Sequence, residues 1–273
     1  MTAESTAKPA RARSGLLEGK VCVVSGVGPG LGRRAAVALA AHGADVVLAA
    51  RRQSSLDEVA AEVEALGVRV LAVPTNIVDV EQCERVVELA RKELGGIDVL
   101  VNNAFRFDVM KTFEEVDLEA WRKIMDVNLF GSLKMTKAAL PAMEARGGGS
   151  VIMVASMGAR KPTPLEGGYS VSKGALMTAT RVLAYELGSK GIRVNALVPG
   201  WMLGPSVDIY IQMTMDNRGI SSQEVVDELA ERMALGRVPT DEDVAGSIVY
   251  LASDLSSVVT GQAIDANGGE LFV

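Results

Sequence analysis

The chain has 273 residues, 48% of them hydrophobic and only 4% aromatic, a composition that one large α/β domain fills with aliphatic strands and alanine-rich helices. Its 28 lysines and arginines against 34 aspartates and glutamates give a formal net charge of -6, so it lacks the broad basic surface that supplies non-specific nucleic-acid affinity. A single histidine, His42, excludes a histidine-based metal cluster, and Cys22 and Cys83 form no CxxC pair, which fits reduced thiols in a cytoplasmic protein.

The opening segment carries Lys8, Arg11 and Arg13 but no apolar core behind them. It reads as a disordered tail over residues 1–15 rather than a secretory signal. Residues 16–273 then read as one domain. No run is apolar for long enough to cross a membrane.

The core begins with the strand KVCVVSG at 20–26, followed by an alanine-rich helix at 31–42 and a second strand, ADVVLAA, at 44–50. SLDEVAAEVEALG at 55–67 predicts a helix with Ser55 and Glu58 as a capping box, and VRVLAVP at 68–74 a third strand. Asp79 is placed to cap a helix near 80–94, and IDVLVNNA returns as the fourth strand. A long helix near 117–145 comes next, with Pro141 as a point of kinking or division. GSVIMVAS at 149–156, a helix around Tyr169, IRVNALVPG at 192–200, the helix DEDVAGSIVYLAS and the strand GQAIDANGG complete the alternation. Continuous apolar strands alternating with helices predict an α/β fold, a Rossmann-like doubly wound parallel sheet of about seven strands covered on both faces.

Residues 201–222 break this rhythm. They are rich in methionine and large apolar residues and leave from the carboxyl end of a strand, where open parallel sheets bind ligands. A substrate lid is the functional reading, and a helical hairpin packed permanently on the domain is the other.

Glycines punctuate SGVGPGLG between the first strand and the first helix. A turn of this kind lets the backbone approach a diphosphate, while the helix N-terminus offers unpaired N–H groups, so Gly26, Gly30, Leu31 and Gly32 predict dinucleotide binding. The second strand ends in Ala49 and Ala50 without an acid, and Arg51 and Arg52 follow. The missing carboxylate removes a repulsion and guanidinium grips phosphate, which favours NADP(H); NAD(H) is possible if both arginines are only solvated.

Tyr169 and Lys173 are four residues apart, so one helical face carries both. Together with SGVGPGLG, the NNA at 102–104, Asn128, Ser156, YSVSK at 169–173, VPG at 198–200 and TGQAIDANGG near the end, they carry a resemblance. The chain resembles the short-chain dehydrogenase/reductase family over nearly its whole length, and in particular its 3-oxoacyl-reductase-like and hydroxysteroid-dehydrogenase-like members. The resemblance implies hydride transfer between a nicotinamide ring and a carbonyl or alcohol carbon. It also implies Tyr169 as acid/base, Ser156 on the substrate oxygen, Lys173 on the nicotinamide ribose and Asn128 on a water-linked proton path. Cofactor contacts are expected from Asn76, Ile77, Asn103, Ala104, Pro199, Gly200 and Met202, besides the glycine turn, Arg51, Arg52, Tyr169 and Lys173. Free tyrosine ionises near pH 10, so a tyrosine base near neutrality asks for about three units, roughly 4 kcal/mol, which a nearby Lys173 ammonium and a cationic nicotinamide could supply.

Each of these residues also has a structural reading, Ser156 bonding backbone at a strand end and Asn128 satisfying a break in its helix. A nucleotide-sensing binding protein without turnover is the rival function. The chain departs from the family pattern at Phe105, where NNAG becomes NNAF, and at Gly204, where a threonine is common near the nicotinamide amide. Phe105, Met157, Trp201 and Met213, with Met110, Met202 and Met215, predict a hydrophobic alcohol or ketone as substrate. The resemblance implies a homotetramer or homodimer, with helices near 117–145 and 170–188 available as its contact. No metal, nucleic-acid or membrane partner is expected.

Overall fold

The computed structural model describes residues 15–273; residues 1–14, most of the expected tail, lie outside the described residues. Seven strands form one parallel sheet: β1 (Val21–Ser25), β2 (Asp45–Ala50), β3 (Val70–Pro74), β4 (Val99–Asn102), β5 (Gly149–Val154), β6 (Ile192–Pro199) and β7 (Ala263–Ala266). Their order across the sheet is β3-β2-β1-β4-β5-β6-β7. β1 pairs with both β2 and β4, so the chain reverses its direction of travel across the sheet between β1 and β4. A crevice opens at such a switch point, outside the carboxyl ends of the strands.

The helices are α1 (Leu31–Ala41), α2 (Gln53–Glu64), α3 (Val80–Leu89), α4 (Leu118–Met125), α5 (Ser132–Ala145), α6 (Gly167–Leu187), α7 (Pro205–Arg218), α8 (Ser222–Ala230) and α9 (Asp241–Ala252). Because both sheet faces are apolar, two separate cores form. Val23, Leu100, Val151 and Met153 meet Cys83, Met135 and Leu176 on one face. Cys22, Val24, Val101 and Ile152 meet Leu39, Leu56 and Ile248 on the other.

Two local expectations change. The α2 helix starts at Gln53 and its cap position, Arg52, makes no side-chain cap bond, so Ser55 and Glu58 lie within the helix instead of capping it. The chain after β2 turns directly into helix, and a Gln53–Asp57 side-chain bond of 2.7 Å supports the first turn. Asp79 does cap α3, accepting from the Gln82 amide at 3.2 Å. The predicted helix near 117–145 is continuous, but a π-helical stretch at Asp126–Gly131 separates α4 from α5, and Pro141 sits inside α5 without dividing it. α6 packs on the sheet at β6 and, through Gly167 and Gly168, on Trp121 and Ile124 of α4. Leu176, Thr180 and Leu187 are buried while Val171, Val182 and Tyr185 are exposed in the single chain.

The segment 201–222 builds a small core of its own. Val207 and Ile211 of α7 pack with Val225 and Leu229 of α8 and with Met233 and Val238, and Trp201, Tyr210 and Met215 border them. No helix among the described residues is long and apolar enough to cross a membrane.

Candidate active site

The strand-to-helix turn after β1 makes one wall of the crevice. Gly26 has φ 94°, and a Cβ there would lie 2.2 Å from the Ala104 amide nitrogen, so only glycine lets β1 and β4 end side by side. Asn103 fixes that contact by donating to the Gly26 carbonyl at 2.7 Å. The N-terminus of α1 has no side-chain cap and no acid in its first turn, which leaves its positive end facing the crevice.

The crevice is a cavity of about 600 Å³. Gly26, Gly30, Leu31 and Gly32 line it at the turn, Arg51 and Arg52 at the end of β2, and Asn76 and Ile77 beyond β3. Asn103 and Ala104 line it at β4, and Pro199, Gly200 and Met202 after β6. These are the positions expected to hold a dinucleotide, and the uncapped helix end and the glycine cradle fit its diphosphate.

Ser156, Tyr169 and Lys173 stand at the other end of the cavity. Ser156 lies just past β5, where it accepts from the Gly158 amide at 3.1 Å, and its hydroxyl stands beside the Tyr169 phenol. Lys173 is 2% exposed and donates to the Val154 carbonyl at 2.6 Å. Its Nζ lies 5.7 Å from the centre of the Tyr169 ring and 5.8 Å from that of Phe105.

The electrostatics differ from the expected tuning. Burial pushes the Tyr169 phenol up to about 12, against a smaller lowering by Ser156 and with a further rise from Glu166. Burial likewise brings Lys173 down to about 7. Enclosure disfavours both charged forms and outweighs the lowering by Ser156.

Asn128 does not line the cavity. It sits in the π-helical stretch, accepting from the Arg106 amide at 2.6 Å and donating to the Arg106 carbonyl at 3.1 Å and to Ser172 Oγ at 2.9 Å. It therefore ties the loop after β4 to the helix that carries Tyr169. Asp108 of that loop, which sequence reasoning missed, does the same by accepting from the Tyr169 amide at 2.8 Å. With both ties in place, Phe105 and Phe107 lie 6.3 and 5.2 Å from Tyr169 between ring centres.

Two expected substrate contacts do not line the cavity. Phe105 and Trp201 line the cavity, but Met157 is buried beneath Gly200 and Met213 is exposed on α7. Met157 follows Ser156 in a tight turn that points it into the fold, and α7 turns its other face to α8. Asp241 also lines the cavity, from the start of α9, and no sequence signal marked it.

A strand-end glycine turn joined to a Tyr/Ser/Lys constellation over one cavity defines a dinucleotide-dependent α/β oxidoreductase. A family model described as enoyl-(acyl carrier protein) reductase matches residues 26–270. Dehydrogenase/reductase SDR family member 4 of Homo sapiens is 36% identical over 253 residues, covering 93% of this chain and 88% of that protein. An uncharacterized oxidoreductase of Methylorubrum extorquens is 37% identical over 254 residues, 93% of this chain and 98% of its own length. Among solved structures, L-sorbose reductase from Gluconobacter frateurii, complexed with NADPH and L-sorbose, matches with a TM-score of 0.88 at 34% identity, covering 96% of this chain and 99% of that one. The chain belongs to the short-chain dehydrogenase/reductase family, and it is an oxidoreductase acting on CH–OH or C=O groups with a nicotinamide dinucleotide.

Proposed function

We propose that this protein interconverts a hydrophobic secondary alcohol and its ketone, with NADP(H) as the preferred cofactor and Tyr169 as acid/base. The observation that carries this reading is the meeting of Tyr169, Ser156 and Lys173 at one end of a cavity whose other end is lined by the glycine turn, Arg51 and Arg52. The bound nicotinamide supplies or accepts the hydride. In the reductive direction the Tyr169 phenol donates its proton to the carbonyl oxygen while the Ser156 hydroxyl donates a hydrogen bond to the same oxygen. Lys173 has three N–H donors when charged and spends one on Val154, leaving two for the ribose hydroxyls and the phenol oxygen. Its ammonium favours the phenolate that remains after proton donation. Asn128 holds the loop that carries Phe105 against this group, a positioning role that replaces a direct contact.

Asn76 and Ile77 are assigned to the adenine end of the dinucleotide, and Pro199, Gly200 and the Met202 backbone to the nicotinamide end. The two arginines at the end of β2, with no carboxylate beside them, support NADP(H), as does the NADPH complex of the sorbose reductase. Sugar specificity does not follow from that neighbour, because Phe105, Phe107 and Trp201 make the mouth apolar here. Segment 201–222 borders this mouth through Trp201 and Met202 and acts as its cover. The exposed Val171, Val182 and Tyr185 on α6, with Phe130 beside α5, support a homodimer or homotetramer through these helices. Light scattering over a dilution series tests that assembly, and a persistent monomer refutes it.

The decisive experiment follows cofactor absorbance with NADPH and NADH against a panel of aliphatic, aromatic and polycyclic ketones and alcohols. Turnover of apolar carbonyl compounds with NADPH is the expected result. Tight dinucleotide binding without turnover of any compound would favour a sensing protein, and a preference for NADH would overturn the phosphate role of Arg51 and Arg52.

A further inference from the structure

Asp241 is the first residue of α9 and 5% exposed, yet among the described residues its carboxylate has no hydrogen-bond or ion-pair partner. It is not needed as a cap. Thr240 and Asp243 already form the capping box of α9, and Arg237 pairs with Asp243. Instead the carboxylate stands between the two loops that bound the cofactor crevice. Its Oδ2 is 3.4 Å from where a Cβ on Gly30 would stand, and its Oδ1 is 2.6 Å from where one on Gly204 would stand. The side chain that Gly204 lacks thus leaves the room that Asp241 fills, beside the uncapped N-terminus of α1.

That helix end is where a dinucleotide diphosphate is received, since its N–H groups and dipole favour anions. An ionised Asp241 in the same place opposes the incoming charge. The groups facing it do little to neutralise it: Arg34 of α1 is paired with Glu242 at 2.8 Å, and Glu242 and Asp208 of α7 add negative charge. Burial, reinforced by those two acids against the smaller effect of Arg34, holds the Asp241 carboxyl above the ordinary aspartate range before any cofactor arrives.

We propose that Asp241 takes up a proton when the dinucleotide binds and then serves as a neutral hydrogen-bond donor beside the diphosphate, so that cofactor affinity falls as pH rises. The proposal rests on the crevice being the dinucleotide site. The sign follows from linkage: the bound form holds more protons, so between the Asp241 pKa of the free protein and the higher one of the complex the dissociation constant rises, by at most about tenfold per pH unit for one proton.

The test is calorimetric titration with NADH, which lacks the 2'-phosphate and its own titration near about pH 6. Repeating it in buffers of different ionisation enthalpy counts the protons taken up. Lys173 faces the same crevice and also titrates, so the deciding quantity is the difference between the unmodified protein and Asp241→Asn, which keeps the shape and a donor but cannot take up a proton. We expect unmodified protein to take up more protons than the variant, and the variant to bind NADH with a flatter pH profile and about tenfold more tightly at the alkaline end. Asp241→Ala provides the same comparison if the asparagine variant does not fold. Equal proton uptake, or the same pH slope in variant and parent, overturns the proposal and leaves the oxidoreductase reading intact. Failure of the unmodified protein to bind any dinucleotide overturns both.

Discussion

At the amino ends of the strands, the buried acids Asp45 and Asp98 are ion-paired; at the carboxyl ends Lys173 and Asp241, equally buried, are not, while Asp265 and Glu270, in and after β7, pair with Arg160 and Lys161. Asp45, 6% exposed, holds Arg69 through contacts of 2.6 and 3.0 Å, and Asp98, 8% exposed, holds Arg146 and accepts from the Val21 amide at 2.8 Å. Across the same sheet Lys173 has a carbonyl and two aromatic rings beside it but no acid, and Asp241 has no bonded partner among the described residues. Ion pairs at one end fix the strand register and the crossovers. Uncompensated groups at the other end are unstable without a ligand, and this is how a fold keeps charge available for chemistry.

Four substitutions break or sharpen this contrast. The largest effect is expected at the carboxyl end: Tyr169→Phe keeps the ring and loses the proton, and turnover should fall by about 10²–10⁴-fold with cofactor binding retained. Steady-state rates beside a cofactor titration check this, and near-normal turnover would remove Tyr169 from its role.

Lys173 comes next, through pH and not rate. Its ammonium is disfavoured in the fold, about 7 against an ordinary 10.5, so the unfolded chain binds more protons between those values. Stability of the cofactor-free protein should therefore rise with pH across that window, by a few kcal/mol at about 1.4 kcal/mol per unit. Lys173→Met should flatten that rise relative to the parent in thermal melts, and parallel melting profiles would show that Lys173 stays charged in the fold.

At the paired end the same kind of change should strike stability alone. Asp98→Ala leaves the Val21 amide and the Arg146 guanidinium without their acceptor and is expected to cost about 2 kcal/mol in urea unfolding, with turnover per folded molecule unchanged. A loss of turnover without a loss of stability would mean that the two ends are coupled.

The smallest effect belongs to the exposed arginine. Arg51→Ala should weaken NADPH by about tenfold, the low end for a charge-assisted bond, and leave NADH nearly untouched. Equal weakening of both would point to disruption of the loop after β2.

Much of this was legible before any coordinates. The strand runs were legible because strands buried on both faces are apolar throughout, and the glycine turn because no other residue tolerates the contact between Gly26 and Ala104. Tyr169 and Lys173 were legible because i and i+4 on a helix must share a face. The capping of α2 was misjudged because a capping box is a local pattern, and the chain after β2 enters its helix two residues earlier than that pattern starts.

What the sequence determined by itself is the order of elements, the parallel sheet and the set of residues that could meet at its carboxyl edge, since these follow from periodicities of two and 3.6 and from short-range spacing. Tertiary structure alone decided which of them do meet. It set Met157 under Gly200 and Met213 in solvent, placed Asn128 and Asp108 as ties on the Tyr169 helix, and brought Asp241 from 211 residues away to the side of Gly30. Those outcomes depend on how loops from distant strands pack against one another and on what burial does to a charge, and neither quantity is written in any local stretch of the chain.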